Sequence, residues 1–169
     1  MQEVLTAEIS KVASLFGKHE VKYMFIGGLA VAYYGKYRPS SHLPKGVDYD
    51  VDIWYSATLE NFSRLSNALG EYDPALKKDL AKIIFDPKRT FLKFNLNTVH
   101  FDLLPEMKPF TYKDFHKCHE NREIAEISNT EISIISKADL LENKRSINRP
   151  KDKEDINNIN NNSYKGFSR

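Results

Sequence analysis

The six residues Tyr49-Asp50-Val51-Asp52-Ile53-Trp54 narrow the choices for this chain more than any other stretch. Their β-branched and aromatic content predicts a strand, and along a strand residues two apart face the same way. Val51 and Ile53 then enter a core, while Asp50 and Asp52 stand side by side on the other face. Like charges held that close raise the cost of ionising both unless a cation lies between them. A divalent metal is the usual remedy, and phosphoryl-type transfer is the chemistry that most often needs one. Taken alone, the pair is equally compatible with a solvated strand face or a salt-bridge network. A third carboxylate shifts the balance. Asp102 lies in Val99-His100-Phe101-Asp102-Leu103-Leu104, again a charge on a strand otherwise built for burial. Three aspartates on two strands can hold two divalent ions about 3.5–4 Å apart. Asp50 and Asp52 would bind both, and Asp102 would complete the nucleophile's ion and serve as the base.

The surrounding pattern is mixed. Apolar residues at helical spacing from Val4 to Phe16 predict a first helix, and Val21 to Ile26 a buried strand. Gly27-Gly28 breaks that strand before a short helix over Leu29 to Tyr34. Glycines there let the backbone approach a ligand, and a helix N-terminus offers free N–H groups to phosphate. The segment from Lys36 to Gly46 reads as an exposed loop. Thr58 is placed to cap a helix through Leu69 with Leu59, Phe62, Leu65 and Leu69 buried. Asp73 to Lys82 is a second short helix. Phe91 to Leu96 and Val99 to Leu104 form a hairpin turned at Asn97-Thr98. A weak helix over Thr111 to His119 and short strands at Ile124 to Ile127 and Ile132 to Ile135 follow. Helices from Ser136 through Lys144 and from Asp152 through about Ile159 come next. The fold class is α/β (α+β), a small mixed twisted sheet flanked by helices, with C-terminal helices. Residues 1–156 form one domain, and 157–169 have the asparagine-rich composition of a partly disordered tail.

Net charge of +2 removes any overall polybasic character, although Lys144-Arg145 and Arg149 to Lys153 are locally basic. A lone Cys118 excludes an internal disulfide and a cysteine-built zinc site, and His116-Lys117-Cys118-His119 fits no strong zinc spacing. The sequence carries no membrane-length apolar run and no signal-peptide pattern, so a cytoplasmic protein without membrane partners is expected. His100 and Trp54 read as structural. Tyr33, Tyr34 and Tyr37 read as core or as the wall of a nucleotide pocket.

The order Ile26-Gly27-Gly28, Asp50-Val51-Asp52, then Asp102 resembles the signature of the nucleotidyltransferase superfamily of the DNA polymerase β type. Ser136, Leu140, Lys144, Arg149, Lys151, Asp152 and Asp155 are similar in spacing to the C-terminal motif of the abortive-infection nucleotidyltransferases, a group that includes toxins of toxin–antitoxin pairs. Lys93 and Thr98 match that group's short intermediate element. Two departures stand out. Twenty-one residues separate Gly28 from Asp50, more than the family spacing, with the excess in Arg38 to Val47. Position 28 is Gly where the toxin group often has Ser. Asp48 stands where related sequences often have Thr and is not counted as a ligand.

The resemblance implies Mg²⁺ or Mn²⁺ as cofactor on Asp50, Asp52 and Asp102, and an NTP held by Gly27, Gly28, Lys144, Lys151 and Asp152. In that role Lys144 neutralises the triphosphate and Asp152 orients Lys144 or the base, while Arg149 and Lys151 could instead meet an RNA backbone. It further implies transfer of a nucleoside monophosphate to an acceptor hydroxyl on RNA, tRNA or protein, as a toxin with a cognate antitoxin. The alternatives are a small-molecule acceptor such as an antibiotic, and a non-catalytic, antitoxin-like binding module of the same fold.

Overall fold

A computed structural model describes residues 3–37, 43, 45–163 and 165–167. Six strands form one mixed sheet in the order β3-β4-β2-β1-β6-β5. The strands are β1 (Tyr23–Phe25), β2 (Tyr49–Tyr55), β3 (Leu92–Leu96), β4 (Val99–Leu104), β5 (Glu123–Ile127) and β6 (Thr130–Ile134). The aspartate strand β2 is central, antiparallel to β1 and parallel to β4. β1 pairs parallel with β6, and the two hairpins β3–β4 and β5–β6 close the edges.

Alternation along the strands produces two unlike faces. Val51, Ile53, Phe101, Leu103, Phe94 and Leu96 are buried, whereas Asp50, Asp52, His100 and Asp102 between them are only half-buried. The expected hairpin turn at Asn97-Thr98 is present, with Asn97 taking the left-handed conformation at φ 50° that short polar side chains tolerate.

The helices are α1 (Glu3–Lys18), α2 (Gly27–Tyr34), α3 (Leu59–Tyr72), α4 (Pro74–Leu80), α5 (Phe115–Glu120), α6 (Lys137–Ile147) and α7 (Pro150–Asn160). α1 packs on β5, β6 and α3, and α2 packs on β2, α6 and α7. Thr58 caps α3 by accepting from Asn61 N–H at 3.2 Å, and Ser136 caps α6 by accepting from Asp139 N–H at 3.1 Å. Buried Asn61 ties α3 to the sheet, accepting from Lys22 N–H and donating to the Lys22 and Ser56 carbonyls. Trp54, Tyr55 and Tyr34 are buried, and their polar atoms donate to the carbonyls of Pro105, Thr90 and Ile135.

Several expectations shift. Leu59 is 68% exposed rather than buried, because as the first residue of α3 it lies ahead of the stripe set by Phe62, Leu65 and Leu69. The helix before α6 covers only Phe115–Glu120, since Asp114 is spent on a turn that accepts from Thr111 N–H and Oγ1. α7 begins at Pro150, whose missing N–H suits a first helical position, and Asp152 sits two residues inside. The same helix runs to Asn160 with Ile159 fully buried, one residue past the end expected near Ile159. Asn158 exchanges hydrogen bonds with the backbone of Lys36, and Phe167 packs on Tyr33. In the loop expected over Lys36 to Gly46, residues 38–42 and 44 lie outside the described residues, and Lys36, Tyr37, Lys45 and Gly46 are exposed. Among the described residues no helix is long and apolar enough to cross a membrane.

Candidate active site

Gly27 is the first residue of α2 and has φ 56°, a conformation glycine adopts without strain. A side chain there would also overlap the Asp52 carboxylate, whereas a Cβ on Gly28 meets nothing within 4 Å. Ile26 donates its N–H to the Asp52 carbonyl at 3.0 Å, which pins the turn to the aspartate strand. Ile26 offers no capping side chain, so the first N–H groups of α2 remain available to an anion. Gly27 thus exists to let the helix start and the aspartate pair meet.

That meeting point opens into a cleft of about 520 Å³ whose walls include Gly27, Gly28, Asp50, Asp52, Lys144, Arg149 and Lys151. Leu104, Met107 and Ile147 add an apolar wall, and Glu106 and Lys108 flank it. Residues far apart in sequence are therefore brought together around one cleft. Asp102 stands beside the cleft rather than on its wall, opposite Asp52 in the β2–β4 register. Its Oδ1 lies 3.1 Å from Lys93 Nζ and 3.0 Å from His100 Nε2.

Burial pushes the Asp52 carboxyl up to about 6, with the Asp50 and Asp102 charges adding to the rise against the pull of Lys144 and Lys151. Asp50 is also raised, by burial and by Asp102, and its Oδ1 is buried without a hydrogen-bond partner. An unpartnered carboxylate oxygen beside mutually repelling carboxylates is a donor set that fits a divalent ion. Oxygen donors suit Mg²⁺ or Mn²⁺. Among the described residues, one cluster of three potential ligands has all its ligand atoms within 4.8 Å of one another: Asp50, His100 and Asp102.

Lys144 and Asp152 are both buried, at 4% and 0% exposure. The Lys144 ammonium lies 3.2 Å from Asp152 Oδ1 and 2.8 Å from Asp155 Oδ2. Asp152 also accepts from the backbone N–H and the guanidinium of Arg149, at 3.0, 2.7 and 3.1 Å. Burial opposes ionisation of Asp152, but the bonds from Arg149 and Lys144 overcome it and hold the carboxyl down at about 2. Asp152 is enclosed and touches Lys144 and Arg149, which line the cleft. Lys151 is exposed on the cleft rim.

Sequence reasoning set His100 aside as structural, yet it stands in the ligand cluster. The signal was its position: His100 precedes Asp102 by two and shares its face. Asp155 was read only as part of a motif, and its burial against Lys144 explains its place there. Tyr33 and Tyr34 are buried in the core, whereas Tyr37 lines a small recess with Gly28 and Asp50. A second cavity of about 420 Å³ lies past the other end of β2, lined by Thr58, Arg64, Tyr112, His116 and His119. Burial and nearby cations lower His119 to about 4, so it stays neutral, and no aspartate lines that cavity.

No protein-family model and no curated protein matches the sequence. Solved structures do match. One is an antigenic nucleotidyltransferase-like protein from Paracoccidioides brasiliensis, 15% identical over 92% of this chain and 74% of that one, with a TM-score of 0.52. Another is the lincosamide antibiotic adenylyltransferase LnuA bound to lincomycin, 18% identical over 95% of this chain and 98% of that one, also with a TM-score of 0.52. With the paired aspartates, the glycine turn and the mixed sheet in one frame, this chain has the nucleotidyltransferase fold.

Proposed function

We propose that this protein is a metal-dependent nucleotidyltransferase that moves a nucleoside monophosphate from an NTP to an acceptor hydroxyl. The observation that carries the reading is one cleft in which the Asp50–Asp52 pair faces the open N-terminus of α2 and the cations of α6 and α7. Gly27 and Gly28 receive phosphate oxygens on their N–H groups, and Lys151 on the rim meets part of the triphosphate charge. Lys144, fixed by Asp152 and Asp155, adds positive potential at a set position. Asp50, Asp52 and Asp102 hold the cation. When bound, that cation neutralises the phosphates and lowers the pKa of the attacking hydroxyl. The hydroxyl oxygen forms a bond to the α-phosphorus as the bond to pyrophosphate breaks, and the Asp102 carboxylate takes the hydroxyl proton.

RNA, tRNA or a protein hydroxyl is the acceptor that the C-terminal motif supports, with the chain acting as the toxin of a toxin–antitoxin or phage-defence pair. A small-molecule acceptor is the second reading. It is favoured by the apolar cleft wall of Leu104, Met107 and Ile147, and by the fold shared with a lincosamide adenylyltransferase over nearly its whole length. The test incubates each α-labelled NTP with Mg²⁺ or Mn²⁺ and RNA, protein or a lincosamide, beside an Asp50→Ala/Asp52→Ala variant. Label is expected on one acceptor class with wild type alone, and the double variant loses on the order of 10³-fold or more. Label transferred equally by the double variant refutes the proposal. Growth arrest on expression, relieved by the same variant, separates a toxin from an antibiotic-modifying enzyme.

A further inference from the structure

Two rows of side chains cross the polar face of β2, β4 and β3. The register aligns Asp50 with His100 and His100 with Asn95, and in the next row Asp52 with Asp102 and Asp102 with Lys93. The Asn95 side-chain oxygen lies 2.5 Å from His100 Nδ1. The other ring nitrogen, Nε2, lies 3.0 Å from Asp102 Oδ1. Metal-binding histidines are held in this way, by donating the other ring N–H to a carbonyl or carboxylate. Asp50 supplies an independent pointer to the same place, because its Oδ1 is buried and unpartnered. The ligand atoms of Asp50, His100 and Asp102 lie within 4.8 Å of one another, close to the span one ion bridges. Lys93, whose side chain is 66% exposed, is able to swing from Asp102 into solvent as an ion enters.

We propose that His100 Nε2 is a direct metal ligand, sharing one cation with Asp50 and Asp102, and that this imidazole turns the site from Mg²⁺ toward first-row transition ions. The inference rests on the transferase reading of the cleft and adds a nitrogen ligand to its carboxylate set. An imidazole donor strengthens binding of Mn²⁺ and the ions beyond it more than binding of Mg²⁺, which prefers oxygen and retains water.

Mn²⁺ and Mg²⁺ binding to the full chain is measured by calorimetry, and bound Mn²⁺ by pulsed electron paramagnetic resonance. Wild type should show nitrogen hyperfine coupling that changes isotope pattern when histidine is labelled with ¹⁵N. His100→Ala should lose that coupling and bind Mn²⁺ about tenfold or more weakly, with Mg²⁺ affinity changed less than about threefold. If His100→Ala fails to fold, the labelled wild-type spectrum decides alone. Mn²⁺ bound without nitrogen coupling, yet lost in Asp50→Asn, overturns the proposal and leaves the transferase reading intact. Mn²⁺ bound equally by wild type and Asp50→Asn, or not bound at all, overturns both.

Discussion

Replacing Asp52 by Asn should abolish transfer and at the same time stabilise the metal-free protein. The folded carboxyl is pushed up to about 6 by burial and by Asp50 and Asp102. An unfolded Asp ionises near 3.9. A raised acid favours the protonated folded state, so between these two values the folded chain binds more protons than the unfolded one. Stability therefore falls as pH rises through this window and is fully reduced above about 6. A gap of roughly 2 units at about 1.4 kcal/mol per unit gives a penalty on the order of 2–3 kcal/mol at neutral pH. Asn keeps the shape and removes the charge. Urea melts in EDTA at pH 3.5, 5 and 7.5 should show the two proteins matched at the lowest pH and the variant ahead by roughly that amount at the highest. For a chain of this size that corresponds to about 5–10 °C in Tm. Mg²⁺ or Mn²⁺ should then raise the Tm of wild type and not of the variant. A variant no more stable than wild type at pH 7.5 in EDTA would refute the claim that Asp52 is held in the fold at an electrostatic cost.

The Lys144 network should behave oppositely. Lys144→Met leaves Asp152 and Asp155 buried beside each other without their ammonium, so unfolding free energy should drop by about 3–5 kcal/mol in chemical denaturation. Lys151→Ala, on the exposed rim, should leave stability within about 0.5 kcal/mol while weakening nucleotide binding measured by calorimetry. Gly27→Ala should destabilise by at least about 1–2 kcal/mol from its left-handed backbone, with steric overlap against Asp52 added. Gly28→Ser, where a side chain meets open space, should melt within about 1 kcal/mol of wild type.

The elements with local signals were legible from the sequence. Thr58 and Ser136 announced their helices through capping, and the alternation in β2, β3 and β4 announced strands with one apolar face. What composition concealed was anything decided by long-range packing. Asn158 sits in an asparagine-rich stretch, yet it exchanges hydrogen bonds with the backbone of Lys36, more than 100 residues away in sequence. The site divides along the same line. Asp50 and Asp52 share a strand, so their adjacency follows from a period of two. The alignment of Asp52 with Asp102, and of Asp50 with His100, depends on the parallel register of β2 and β4, which no local pattern specifies. Hence the charges were found and the histidine between them was not.

The charge balance of the cleft bears on what enters it. Arg149 and Lys144, the cations best placed for phosphates, are already committed to Asp152 and Asp155. Lys93 is committed to Asp102. Lys151 and Lys108 remain on the walls against Asp50, Asp52 and Glu106. A free triphosphate would thus meet aspartates next to the glycine turn with little uncommitted positive charge to offset its own. A divalent ion would change both sides of that encounter, screening the phosphates and quenching the repulsion that adds to burial in raising Asp50 and Asp52. The geometry therefore suits a metal–nucleotide complex better than either component alone. Under the proposed function, the same carboxylates that weaken the metal-free fold would couple metal binding to nucleotide binding.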